Sequence, residues 1–136
     1  MKTTLITFCI ALLFLGNITV SANTERIDPI QNARVYIYRP ANLVGFAWVF
    51  NLKLNGEKYA KIRNGKYFIL SLKPGKTTFS IKKKKVTIDL EAGKSYYLRS
   101  FIQQGFYIGK LDLIEVTARF AEQEFEHKPM KLAAKE

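Results

Sequence analysis

Reactive side chains are nearly absent from this chain of 136 residues, which holds one cysteine, Cys9, and one histidine, His127. A single cysteine cannot close an internal disulfide, so the fold must rest on its apolar core. No histidine, cysteine or carboxylate cluster has metal-ligand spacing, and neither a metal nor any other cofactor is expected. No glycine-rich loop precedes a helical pattern, which removes the phosphate-cradling turn of nucleotide-binding folds. Acids are few as well: 11 Asp and Glu stand against 22 Lys and Arg, a formal net charge of +11.

What is present begins with an export pattern. Lys2, an apolar run from Leu5 to Leu15, and the small-residue stretch Val20 to Ala22 predict a secretory signal peptide over residues 1–22. The apolar run is shorter than the roughly 20 residues a membrane span needs. An uncleaved anchor is the alternative. Cys9 follows Phe8 in mid-run and reads as one more apolar residue, not a lipidation site. Cleavage would leave about 114 residues, enough for one domain, exported to the periplasm or beyond with no integral span. Only Lys2 is lost from the charge count, so the balance becomes +10. Such an excess favours acidic surfaces: anionic lipid headgroups, phosphorylated or carboxylated envelope polymers, or nucleic acid. Export argues against the last.

Residues 23–32 read as a flexible leader, 33–126 as the folded domain and 127–136 as a mobile basic tail. Between Asn55 and Gly105 a turn signal falls about every ten residues: Asn55-Gly56, Asn64-Gly65, Pro74-Gly75, Lys82 to Lys85, Ala92-Gly93 and Gln104-Gly105. Asn-Gly suits hairpins needing positive φ, and Pro-Gly suits a type II turn. This spacing predicts an all-β fold, an antiparallel β-sandwich of about seven to eight strands. Val35 and Ile37 share one face of the first strand, with Tyr36 and Tyr38 on the other. Trp48, Phe50, Leu52 and Leu54 are expected to point inward together. Glu57 to Ile62 reads as an edge strand, and Lys66 to Leu72 as its hairpin partner across Asn64-Gly65. Phe79, Ile81, Val86, Ile88 and Leu90 continue the inward set. Tyr96, Leu98 and Ser100 alternate with Tyr97, Arg99 and Phe101; Phe106 to Ile108 and Leu111 to Val116 supply the last strand material. The period then lengthens, and Ala121 and Phe125 at i, i+4 predict a short helix capped near Thr117 and stopped by Pro129.

The order of Ala33-Arg-Val-Tyr-Ile-Tyr-Arg-Pro40, Leu54-Asn-Gly-Glu57, Asn64-Gly-Lys-Tyr-Phe68, Leu72-Lys-Pro-Gly75 and Glu91-Ala-Gly-Lys-Ser-Tyr-Tyr-Leu98 resembles a family of bacterial exported, lipoprotein-like domains of unknown function. The Leu54 to Gly75 part also looks like the PEGA type of small envelope β-sandwich. The resemblance implies a non-catalytic envelope module and brings no catalytic residues to transfer.

Candidate sites are correspondingly sparse. Lys82, Lys83, Lys84 and Lys85 have two readings: a charged hairpin tip that keeps a sheet edge unpaired, or a contact for anionic lipid or acidic polymer. Lys53, Lys58, Lys61, Lys66, Lys73 and Lys76 are placed to extend that patch. Tyr36, Tyr38, Tyr97 and Arg99 are expected on one sheet face as a second binding surface. Basic strands interleaved with aromatics can also stack bases, which export again disfavours. Asp89 with Glu91, and Asp112 with Glu115, are the only carboxylate pairs available for acid/base hydrolysis of an envelope polymer, with salt bridging to lysines as their plainer role. His127 reads as a solvated helix-end residue. The expectation is an exported, non-enzymatic binding or interaction module of the cell envelope, its partner an anionic surface or an envelope protein. A structural accessory subunit is the further alternative.

Overall fold

The structure is a computed structural model, described here for residues 31–104 and 109–134. The proposed signal peptide, most of the leader and Phe106 to Ile108 lie outside the described residues. The chain forms β1 (Ala33–Arg39), β2 (Phe50–Leu54), β3 (Glu57–Ile62), β4 (Lys66–Leu72), β5 (Gly75–Ile81), β6 (Lys84–Leu90), β7 (Ser95–Gln103), β8 (Lys110–Val116), α1 (Ala118–His127) and β9 (Lys131–Leu132). These make two sheets, ordered β8-β7-β1-β4-β9 and β3-β2-β5-β6. The all-β sandwich is therefore present, with one short helix.

Alternation fixes which side chains meet between the sheets. Val35 and Ile37 of β1, Leu52 of β2, Phe79 and Ile81 of β5 and Leu98 of β7 are fully buried and belong to one core cluster. Ser100 shares that layer, and its hydroxyl has no hydrogen-bond partner among the described residues. Asn55 (φ 49°) and Gly56 (φ 88°) turn β2 into β3 as the Asn-Gly pair predicts. The helix is the expected one: Thr117 Oγ accepts the Phe120 N–H at 3.3 Å, and Ala121 is buried.

Four expectations change. Asn64-Gly65 does not close a hairpin, because β3 belongs to the second sheet and β4 pairs antiparallel with β1 in the first. Turn chemistry fixes a local reversal, and only burial of both strands decides whether they pair. The first sheet is mixed, since β1 runs parallel to β7 with Tyr36 opposite Tyr97 and Tyr38 opposite Arg99. Trp48 lies before β2 and is 42% exposed instead of pointing inward. The tail is not wholly loose: Lys131 and Leu132 pair with Lys66 and Tyr67 as β9.

Trp48 is displaced because a buried cation claims its surroundings. Arg39, only 2% exposed, donates from Nη1 to the Trp48 carbonyl and from Nη2 to the Gly45 carbonyl, both at 2.7 Å. Its guanidinium also lies 4.9 Å from the centre of the Phe50 ring. No carboxylate pairs with it among the described residues, and burial lowers its pKa from the ordinary arginine value. The two carbonyls and the ring face replace water around the charge. Replacing Arg39 with Met keeps the stem and removes the donors, so the Trp48 carbonyl loses its partner and the Gly45 carbonyl keeps only the Trp48 N–H. Arg39→Met is expected to cost about 2–3 kcal/mol of unfolding free energy in a urea titration. Trp48 is the only tryptophan, so its emission should shift to the red as the loop opens.

Candidate functional site

The outer face of the first sheet carries Tyr36, Tyr38, Tyr97 and Arg99 together, because strand alternation and the parallel β1–β7 register put them in two facing rows. They do not form one open surface, since α1 lies across half of them. Glu124 of α1 accepts from Arg99 Nε at 2.6 Å and Arg99 Nη2 at 2.7 Å, and from the Tyr38 hydroxyl at 2.9 Å. Tyr38 is fully buried, and Phe125 rests against both Tyr38 and Tyr67. Arg99 also lies over the Phe101 and Phe120 rings.

Burial alone would raise the Glu124 pKa. The hydrogen bonds from Arg99 and Tyr38 and the charges of Arg99 and Lys128 outweigh it and hold the carboxyl below the ordinary glutamate value. The Tyr38 phenol is pushed well above the ordinary tyrosine value, by burial first and then by its bond to Glu124. Tyr38 and Arg99 thus hold the helix in place. Glu124 itself was not singled out in the sequence, where it is one of three glutamates on a short helix. Its two-residue offset from Glu122 and Glu126 is visible only once Ala121 and Phe125 fix the buried face.

Tyr36 and Tyr97 remain beyond the helix, stacked with ring centres 4.8 Å apart and planes 9° apart. With Tyr67, Ile69 and Phe125 they line a groove of about 390 Å³ bordered by Glu122 and Glu126. The Tyr97 phenol is raised by burial, and then by Tyr36 and Glu122.

The four lysines divide between two surfaces. Lys82 and Lys83 form the β5–β6 turn, with Ile81 opposite Lys84. Lys82 adopts φ 53°, a conformation glycine or asparagine ordinarily fills. Its ammonium sits 4.9 Å from the Phe50 ring centre, on a ring that Arg39 also contacts. Lys84 reaches Asp112 of β8 at 3.2 Å. Burial alone would raise the Asp112 pKa, but Lys84, the Leu113 N–H and the Lys110 charge together hold it below the ordinary aspartate value. Lys82, Lys83 and Lys84 line a hollow with Trp48, Phe50, Gly109, Lys110 and Leu111. Lys85 instead falls in a cross-strand row on the second sheet, where Lys58 is opposite Lys53, Lys53 opposite Ser80 and Ser80 opposite Lys85. Lys53 and Lys58 thus share this row with Lys85, whereas Lys66 is in the other sheet.

The loop before β2 adds what the lysine pattern did not reveal. Leu43 is 90% exposed, Phe46 68%, and Trp48 and Val49 42% each. Trp48 and Val49 border the hollow that Lys82 overhangs.

The other candidates stay apart. Asp112 and Glu115, three apart on β8, face opposite sides of the sheet. Asp89 is exposed, and Glu91 pairs with Lys94 at 2.6 Å, which raises the lysine pKa. Exposed His127 places Nδ1 2.7 Å from the Gln123 carbonyl at the end of α1. Among the described residues no three His, Cys, Asp or Glu side chains converge on a metal position.

These features define a two-sheet β-sandwich with one helix closing part of an outer face. The chain belongs to a family described as "Protein of unknown function (DUF2846)", which matches residues 29–110. The match takes in Arg39, Trp48, the lysine turn and Arg99, while α1 lies beyond it. No curated protein and no solved structure matches the chain.

Because the folded Glu124 pKa is depressed, its contribution is complete above the ordinary value of 4.5 and is lost as pH falls through the lower folded value. Glu124→Gln is expected to destabilise by about 2 kcal/mol at pH 7, since Arg99 and Tyr38 lose a charged acceptor. The gap between wild type and variant in urea unfolding should shrink below pH 4.5.

Proposed function

We propose that this protein is an exported, non-enzymatic module of the bacterial cell envelope that docks on anionic surfaces. The contact runs through the corner formed by the 43–49 loop and the β5–β6 turn. The observation that carries this reading is the company Trp48 keeps: an exposed indole and Val49 beside Lys82, with Lys83, Lys84 and Lys110 around the same hollow. Soluble surfaces rarely group exposed apolar rings without a use for them. Indole and lysine together match the boundary of an anionic bilayer, where the ring enters the headgroup layer and each ammonium meets phosphate.

The turn itself supports the reading. A lysine at φ 53° costs about 1 kcal/mol relative to glycine. Backbone strain that a simple substitution would relieve is more often kept at a working position. The Lys58–Lys53 opposition is likewise unfavourable in isolation and suits an extended acidic partner along the second sheet. The likeness to PEGA-type envelope sandwiches and the export pattern of residues 1–22 agree with this placement.

Vesicle co-sedimentation tests it. The protein is expected to bind phosphatidylglycerol-containing vesicles and not neutral phosphatidylcholine ones, with affinity falling as salt screens the lysines. Lys82, Lys83 and Lys84 changed together to Ser should weaken binding more than about tenfold, at roughly 1 kcal/mol per lysine. Lys82→Asn should keep or raise thermal stability while weakening binding. Binding unchanged by the triple substitution would overturn the reading.

A further inference from the structure

We infer that the groove beside α1 is a binding site for a quaternary ammonium group. It is independent of the lysine corner, and its chemistry is the opposite. The chain carries 22 Lys and Arg against 11 Asp and Glu, yet the groove is lined by Tyr36, Tyr67, Ile69, Tyr97, Phe125, Glu122 and Glu126, with no lysine or arginine. The charged side chains in its lining are two carboxylates, neither in an ion pair among the described residues, while the Arg34 guanidinium acts on Tyr97 from outside the lining.

The ring arrangement selects the kind of cation. Stacking of Tyr36 on Tyr97 leaves one face of each ring uncovered by the other. Tyr67 meets Phe125 edge-on at 5.3 Å, so those planes are nearly perpendicular, with an interplanar angle of 86°. Ring planes of different orientation therefore border the space, and it is a ring face, not its positive edge, that attracts a cation. A cation there gains from the ring quadrupoles. The carboxylates sit above, since Glu122, Phe125 and Glu126 at i, i+3 and i+4 share one side of the helix.

A primary ammonium carries three N–H donors that need acceptors when it leaves water. Among the lining side chains only the tyrosine hydroxyls and the carboxylates accept, and the carboxylates are on the exposed helix residues Glu122 and Glu126. A quaternary ammonium has no donors to satisfy and is weakly hydrated, so an aromatic floor with acidic neighbours suits it better. At about 390 Å³ the groove falls within the range of small-molecule sites, roughly 300–1,000 Å³. The helix clamp fixes its geometry in advance, because Glu124 bonded to Arg99 and Tyr38 sets where Phe125 and the two free carboxylates stand.

Titration of the full chain with tetramethylammonium chloride, followed by proton NMR, reads both affinity and surroundings. The methyl resonance is expected to move upfield and saturate, as rings enclose it. The uncharged isostere 3,3-dimethyl-1-butanol and the primary amine n-butylammonium should each bind at least about tenfold more weakly, the value of one good cation–π contact. Tyr97→Leu should abolish the upfield shift. Glu122→Gln with Glu126→Gln, on exposed positions that leave the fold intact, should weaken binding several-fold. Absence of saturation, or equal binding of the neutral isostere or of n-butylammonium, would overturn the assignment.

Discussion

A guanidinium buried with no carboxylate paired to it among the described residues is the constraint around which one end of this sandwich is arranged. Desolvating a charge costs several kcal/mol, and Arg39 recovers it from two carbonyls and a ring face. Those carbonyls belong to Gly45 and Trp48, so the 43–49 loop is held in one shape by a group at the end of the central strand. The loop cannot then follow the alternation that would carry Trp48 inward. The indole is left at the surface, on the edge of the hollow that the β5–β6 turn overhangs. Phe50 lies at the junction, with Arg39 and Lys82 both contacting its ring.

A second charged contact fixes the helix. Glu124 takes two bonds from Arg99 and one from Tyr38, and a ten-residue helix too short to be stable alone is fixed to the sheet. The clamp withdraws Tyr38 and Arg99 from solvent and gives Tyr36 and Tyr97 a wall. The molecule thus presents two surfaces of opposite character: a cationic corner with exposed apolar rings, and an aromatic groove with free carboxylates. A membrane and a small cation make different demands, and the two surfaces share no lining residue.

Much of the architecture was legible in the sequence, because period-two burial and Asn-Gly chemistry are local. Leu52, Ile81 and Leu98 face the core as alternation requires, and Thr117 caps the helix as a hydroxyl before an i, i+4 pair should. Which strands pair is not local. Asn64-Gly65 reads the same whether the next strand returns beside β3 or crosses to β1, and only the two-layer burial separates them. Lys82 to Lys85 was legible as a charged turn, yet its division between two surfaces follows from register. Arg39 and Glu124 were invisible for a common reason: each is a charged residue in an ordinary-looking position, and its role depends on partners distant in sequence or presented by backbone carbonyls.

The central claim is that Trp48 enters an anionic bilayer at the corner Arg39 holds in shape. Its fluorescence in the presence of phosphatidylglycerol vesicles with brominated acyl chains tests this most directly, because no other tryptophan contributes. The account predicts a blue shift and quenching with these vesicles, and neither with brominated neutral vesicles. Emission unchanged by the anionic vesicles, at concentrations where the protein sediments with them, would contradict it.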